Sequence, residues 1–373
     1  GCLYHGEAGL DFAERLVAAG AWVAVPATLN VSSLDLLHPH LYRGDRKTAE
    51  RARRLMDCYV EMGCSPTWTC APYQLPERPS FGDHVAWAES NAIVFANSVL
   101  GARTNRYGDF IDICAAITGR VPDTGLHRTE GRRGRVLFRL RGVPERILGE
   151  DVLYPVLGHL VGAQTGTAIP VIEDLPETTT EDHLKALGAA AAASGSVALF
   201  HAVGVTPEAP TVDAAFQGMD PEWVVEVGPT ELRQARDSLT TSEDGPLTAV
   251  SVGTPHFSLS EFEQLAALLR GVRTHPDVEF YVSTGRQMME EADRHGWLAP
   301  CREAGIEVVV DTCTYTTPIL RRRDGVVMTN SAKWAYYAPG NLGVEVAFGT
   351  LSECVQSAAA GRIVRDRELW ADV

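Results

Sequence analysis

An α/β fold built on mainly parallel sheets is what this sequence predicts, on two observations. Short apolar runs of strand-like composition alternate with longer helix-like stretches, the pattern of strand–helix–strand units. The clearest of these runs, Ile306 to Val310 (IEVVV), passes at once into the polar Asp311-Thr312-Cys313. In parallel sheets ligands collect where the strands end, so the residues that follow each run are the places to search for chemistry.

Taken in order, Ala21 to Ala27 (AWVAVPA) reads as a buried strand, and Asp45 to Glu61 as a charged amphipathic helix ending near Gly63. Ala92 to Ala96 is a short apolar run. Gly134 to Leu140 alternates as a half-exposed strand does. Leu184 to Ala193 is an Ala-rich helix, and Ser196 to Ala202 (SVALFHA) is strand-like. Leu247 to Val252 and Glu279 to Val282 are further strands. A chain of 373 residues implies two or three domains. Composition shifts near 130–135 and 238–246 place the expected boundaries, giving units at 1–133, 134–243 and 244–373.

The formal charge of −15 argues against a nucleic-acid binder, which needs a basic face to displace counterions. It leaves room for an anionic substrate held by a local arginine group. No apolar run reaches the length of a membrane span, and the first residues lack a secretion signal. A cytoplasmic protein is expected. Because the chain opens on Gly1-Cys2, an upstream segment is expected as well. The eight cysteines contain no CxxC pair, which disfavours a zinc ribbon or a ferredoxin-type cluster. Without a secretion signal a disulfide framework is disfavoured too. Buried thiols, or metal ligands gathered from distant segments, remain.

Three cysteines stand out by their surroundings: Cys70 in Thr-Cys-Ala-Pro-Tyr, Cys313 after the IEVVV strand, and Cys354 at a predicted helix N-terminus, whose partial positive charge favours a thiolate. On spacing alone, each is better explained as a buried small hydrophobe. The stretch from Trp87 to Arg106 is dense in polar groups: Glu89, Ser90, Asn91, Ser98, Arg103, Asn105 and Arg106. Arginine offers a planar fork for a carboxylate; a self-capped polar loop around Gly101 explains the same residues. Lys333 lies beside Asn330, Ser331 and three aromatics, as an anion clamp, an acid/base group or a lysine reaching for solvent. His201, and the pair His256 and Ser258, follow strand-like runs. Phosphate-loop, HExxH and GxSxG motifs are absent, which leaves an ATPase poorly supported. No dinucleotide fingerprint appears either, so an NAD enzyme is equally poorly supported.

At these residues the sequence resembles the large catalytic chain of the aconitase X family. The stretches that carry it are Tyr4 to Leu10, Pro26 to Asn30, TCAPY at 69–73, HVAWAESNAIVFANSVLGARTNR at 84–106, SGSVALFHAVGVTPEAP at 194–210, GTPHFSLSE at 253–261, DTCTY at 311–315 and MTNSAKWAYYAPGN at 328–341. The resemblance implies an aconitase-like fold, three α/β domains around a central cleft. It also implies a hydro-lyase using an iron–sulfur cluster, 2Fe–2S or 4Fe–4S, or a mononuclear iron, held by Cys70, Cys313 and Cys354. The activities implied are dehydration of cis-3-hydroxy-L-proline to Δ1-pyrroline-2-carboxylate or, as the alternative, of mevalonate 5-phosphate. Another small hydroxy acid, or an inactive binding protein of the same fold, are the further readings. Tyr107-Gly108-Asp109-Phe110 stands where other members have a Gly-Gly-Pro-type loop, a form that resembles the hydroxyproline branch.

Lys333, Ser98 and His201 are the expected catalytic groups. Glu89, Ser90, Asn91, Arg103, Asn105, Arg106, His256, Ser258, Asn330 and Ser331 are the expected substrate contacts. The family also uses a small swivelling domain, which is expected here as a separate subunit.

Overall fold

The computed structural model describes residues 1–371. Its two sheets are parallel throughout. The first consists of β1 (Val136–Leu140), β2 (Pro170–Glu173), β3 (His201–Ala202) and β4 (Trp223–Val227), in the order β3-β2-β1-β4. The second has β5 (Leu247–Phe257), β6 (Glu279–Thr284), β7 (Glu307–Val309), β8 (Val326–Thr329) and β9 (Glu345–Phe348), in the order β7-β6-β5-β8-β9. Helices make the crossovers between successive strands, except from β7 to β8, where residues 310–325 cross without one. One apolar core runs through both sheets, from Phe138 and Leu157 to Val327, Trp334 and Phe348.

Residues 1–133 depart from the expected strand-bearing unit. Among the described residues they hold helices and isolated bridges (Thr28 with Ser65, His84 with Arg103) but no extended strand. The segment Ala21 to Ala27 is not a strand. Val23 N–H donates to the carbonyl of Met62, and Ala24 N–H to that of Ala116, so it ties down the ends of two helices. Pro26 has no N–H for a ladder, and Trp22 and Val25 lie exposed. The apolar run Ala92 to Ala96 is the middle of a helix, Ser90–Ser98, buried from Asn91 onward. Its polar Asn91, Asn97 and Ser98 are buried with it because each finds a hydrogen-bond partner inside.

Elsewhere the element types hold, but Val136–Leu140, expected to be half-exposed, is buried at every residue except Arg139, because helices cover the sheet. The charged helix forms at Arg46–Glu61, with Asp45 capping it through Thr48 N–H at 2.9 Å. It turns Ala52, Leu55, Met56 and Tyr59 inward. The Ala-rich helix Glu181–Ser194 packs closely on Leu153–Thr165 through Gly158 and Gly162. A Cβ on Gly158 would sit 2.2 Å from the Leu187 carbonyl oxygen. The strand expected over Ser196 to Ala202 shrinks to His201–Ala202.

β5 places the site. All eleven of its residues are buried, and its carboxyl end carries Thr254, His256 and Phe257 into the centre of the molecule. β7 lies at the sheet edge, and the chain reverses directly after it. Asp311 adopts φ 63°, a left-handed conformation that aspartate tolerates. Both its oxygens accept from Arg286 at 2.6 Å, and Leu36 N–H donates to it at 3.1 Å. This clamp turns Thr312 and Cys313 back toward β5.

Candidate active site

Cys70 comes from the loop before the turn Pro72–Gln74, Cys313 from the turn after β7, and His256 from the end of β5. Their ligand atoms lie within 4.8 Å of one another, and all three residues are buried. His256 is tied at every polar atom. Its backbone N–H donates to Cys70 Sγ at 3.3 Å, and its carbonyl accepts from Gln74 Nε2 at 3.2 Å. Nδ1 faces Thr69 Oγ1 at 3.0 Å, and Nε2 faces the Thr312 carbonyl at 3.2 Å and Cys313 Sγ at 3.8 Å. Burial lowers the imidazole pKa to about 4, so the ring is neutral at physiological pH. The Cys313 thiol is pushed well up by its contact with Cys70 and by burial.

Beside the thiols sits a buried ion pair. Glu89 precedes the helix Ser90–Ser98 and caps it, accepting from Asn91 N–H at 3.4 Å. Its carboxylate also accepts from Asn91 Nδ2 at 2.8 Å and Asn30 Nδ2 at 3.2 Å, and it pairs with the Lys333 ammonium. Lys333 stands in the first turn of Ala332–Leu342, capped by Ser331, and is 3% exposed. Burial alone would push the Glu89 carboxyl up. The Lys333 charge and the donated hydrogen bonds outweigh it and bring the pKa to about 2. The same partnership carries Lys333 upward against its own burial. Asn91 links this pair to the cysteines: its Nδ2 donates to the Cys70 carbonyl at 3.0 Å, and Tyr73 OH donates to its Oδ1 at 2.7 Å. Buried Tyr315 lies within the field of Lys333, Glu89, Cys313 and Cys70. A small cavity of about 50 Å³ beside Glu89 is lined by Asn30, Thr69, Trp87 and Asp112.

The expected site residues divide into those gathered here and those used elsewhere. Cys70, Cys313, His256, Glu89, Asn91 and Lys333 are brought together, with Ser90 at the margin, 3.4 Å from Lys333 Nζ. Ser331 caps Trp334 N–H at 3.0 Å and donates to the Thr254 carbonyl, a structural post behind Lys333. Ser258 and Asn330 line a separate cavity of about 1190 Å³. There Ser258 Oγ donates to Asp182 at 2.7 Å, and Lys185 pairs with both Asp182 and Glu261.

Cys354 is not brought to Cys70 and Cys313. The inner face of its helix, Leu351–Ala360, packs it into the apolar cluster with Met328 and Val355, and burial raises its thiol pKa. The helix N-terminus is satisfied by Thr350 and Glu353 instead. Ser98 is a pin, accepting from Phe200 N–H at 2.9 Å. His201 faces the Arg132 carbonyl at 2.7 Å. Arg103 donates to the His127 carbonyl at 2.9 Å and Thr129 Oγ1 at 3.0 Å. Asn105 holds the 124–126 turn through the Thr124 carbonyl and Leu126 N–H. Arg106 is exposed, and its guanidinium reaches the Val197 carbonyl at 3.5 Å. Thr69, Asn30, Tyr73 and Tyr315 belong to the site without having been singled out. Each lies inside or next to a stretch that carried the family resemblance.

Two thiols and an imidazole, buried and within ligand reach of one another, form a soft donor set suited to iron–sulfur, zinc or copper(I). A cation bound there would favour both thiolates, offsetting the burial that raises the Cys313 thiol.

The family models for aconitase X match the chain in order: the first domain over residues 1–130, the second over 134–237 and the third over 247–360. This chain belongs to the aconitase X family. The cis-3-hydroxy-L-proline dehydratase of Pseudomonas aeruginosa is 43% identical over 372 residues, covering 99% of this chain and 64% of that protein. The namesake enzyme of Hypocrea jecorina is 41% identical, over 97% of this chain and 61% of its own length. This aconitase X chain therefore spans somewhat less than two thirds of those relatives. The phosphomevalonate dehydratase large subunit of Methanothermobacter thermautotrophicus is 37% identical, over 92% of this chain and 83% of that one. Among solved structures, Thermococcus kodakaraensis aconitase X in its holo form superimposes with a TM-score of 0.84 at 33% identity, covering 96% of this chain and 88% of that one. No helix among the described residues is long and apolar enough to cross a membrane.

Proposed function

We propose that this chain carries the catalytic centre of a dehydratase acting on cis-3-hydroxy-L-proline, with a metal–sulfur group held by Cys70 and Cys313. The buried Glu89–Lys333 pair beside those two cysteines carries the reading. The higher identity to the hydroxyproline dehydratases than to the phosphomevalonate enzymes supports the choice of substrate.

When bound, an iron–sulfur cluster or iron supplies a Lewis acid for the leaving hydroxyl. The rest of the chemistry falls to side chains. Lys333 is a fixed cation in a dry setting and takes the substrate carboxylate. Sharing Lys333 with the substrate removes part of what holds the Glu89 pKa down, and burial then raises it. Glu89 thereby becomes the base that accepts the proton next to the carboxylate. Asn30 and Asn91 keep the Glu89 oxygens aimed while it changes charge. The carbon–oxygen bond breaks as that proton leaves, the hydroxide departs as water on taking a proton from solvent, and the enamine so formed moves its N–H proton to the neighbouring carbon to become the Δ1 imine.

A separate small subunit or further domain completes the enzyme in this reading. The test is anaerobic turnover of the whole protein, reconstituted with iron and sulfide, on cis-3-hydroxy-L-proline and mevalonate 5-phosphate side by side. Turnover of the first supports the proposal. Turnover of the second alone transfers the assignment to the phosphomevalonate branch, and turnover of neither by iron-loaded protein rejects both substrates.

A further inference from the structure

We propose that His256 serves the two cysteines as a hydrogen-bond donor and not as a third ligand, and that Thr69 is the positioning residue that sets its tautomer. The inference rests on Cys70 and Cys313 as the holders of a metal–sulfur group.

The hydrogen-bond directions decide the tautomer. The Thr312 carbonyl can only accept, so the Nε2 facing it at 3.2 Å carries a proton. The ring is fully buried, and no carboxylate hydrogen-bonds to it; it is neutral and holds one proton. Nδ1 is therefore bare and accepts. The atom facing Nδ1 at 3.0 Å is Thr69 Oγ1, which already accepts from Ala71 N–H at 3.1 Å. Its own proton is free to be donated to the ring. The opposite tautomer would set two acceptors against each other at Nε2 and leave the Thr69 proton without a partner.

A ligand needs a bare nitrogen facing the metal site. Here Nε2 is the nitrogen on that side, 3.8 Å from Cys313 Sγ, and it bears hydrogen. The backbone N–H of the same residue donates to Cys70 Sγ. One residue thus offers a donor toward each sulfur, the single Nε2 proton being shared between the Thr312 carbonyl at 3.2 Å and the more distant Cys313 Sγ. Such donors draw negative charge off thiolates, stabilise the reduced form of a metal–sulfur group and raise its reduction potential. Thr69 acts through His256, its hydroxyl hydrogen-bonding to the ring and to Ala71 N–H and to neither sulfur.

The test uses the whole protein, reconstituted anaerobically with iron and sulfide and labelled with 15N-histidine. Pulsed electron paramagnetic resonance is expected to find only the weak nitrogen coupling of a hydrogen-bonded imidazole. The strong coupling of a coordinated nitrogen in iron-loaded protein would overturn the donor role alone. Failure of the unmutated protein to take up iron would overturn the metal–sulfur reading, and the donor role with it. In metal-free protein, 15N shifts assigned by their loss in His256→Gln should show a protonated Nε2 and a bare Nδ1; the reverse sinks the tautomer argument. Thr69→Val should retain parental iron and sulfide while its midpoint potential moves to more negative values, and Thr69→Ser should restore it. An unchanged potential in Thr69→Val would remove Thr69 from the role.

Discussion

Glu89 keeps its charge inside the protein because Lys333 and two asparagines face it, and that dependence can be measured. Replacing Glu89 by Gln keeps the amide neighbours within bonding reach but removes the base. Turnover should fall by about 10²–10⁴-fold, with iron content unchanged; parental turnover would disprove the assignment. Lys333→Met leaves the Glu89 carboxylate buried without its counter-charge, and a loss of about 3–5 kcal/mol in chemical denaturation is expected. A second carboxyl behaves oppositely. Burial, against the pull of Lys185 and with Asp182 close by, raises the Glu261 pKa to about 7. Its folded pKa exceeds its unfolded value near 4.5, so its stabilisation is complete below that value and is lost as pH rises through about 7. Comparing urea unfolding at pH 5 and pH 7, Glu261→Gln should lose less stability over the interval than the parent. An equal loss in both would show that Glu261 titrates normally.

Helix starts and close helix contacts carry the next level of organisation. Ser258 caps Leu259–Leu268 through Glu261 N–H and reaches across to Asp182. Both contacts are structural, so Ser258→Ala should cost about 1 kcal/mol and leave substrate affinity unaltered. A weakened KM at parental stability would return Ser258 to the substrate site. The helix Arg46–Glu61 and the strand Glu307–Val309 were legible from pattern, since each carries its own periodicity and punctuation. Ala21 to Ala27 was not. Its composition suits a strand, yet among the described residues no strand lies beside it to pair with, and helix ends take its hydrogen bonds. His201–Ala202 shows the same limit, because the length of an edge strand is set by its partner β2.

Cys70 and Cys313 come from opposite ends of the chain, and a metal held by both cross-links the first region to the second sheet. Removing it with a chelator should lower the midpoint of thermal unfolding, because the folded state loses a ligand that the unfolded state lacks. An identical midpoint with and without metal would argue that these thiols hold none. Cys354 provides the contrast. Cys70→Ala or Cys313→Ala should abolish iron binding, whereas Cys354→Ala should retain iron and lose only packing stability. Iron lost in Cys354→Ala would bring that cysteine back into the ligand set.

The alternation of strand and helix, the parallel sheets and the chemistry-bearing stretches follow from residue order, because each depends on neighbours a few positions apart. The pairing of Glu89 with Lys333, the meeting of Cys70 with Cys313 and the place of His256 between them depend on segments up to 244 positions apart. No local pattern encodes such distances. Polarity shows that a residue needs a partner, and only the packed fold shows which one it finds. That is why Arg103, Asn105, Ser98 and Cys354 read as site residues in one dimension and hold turns, helices and core together in three.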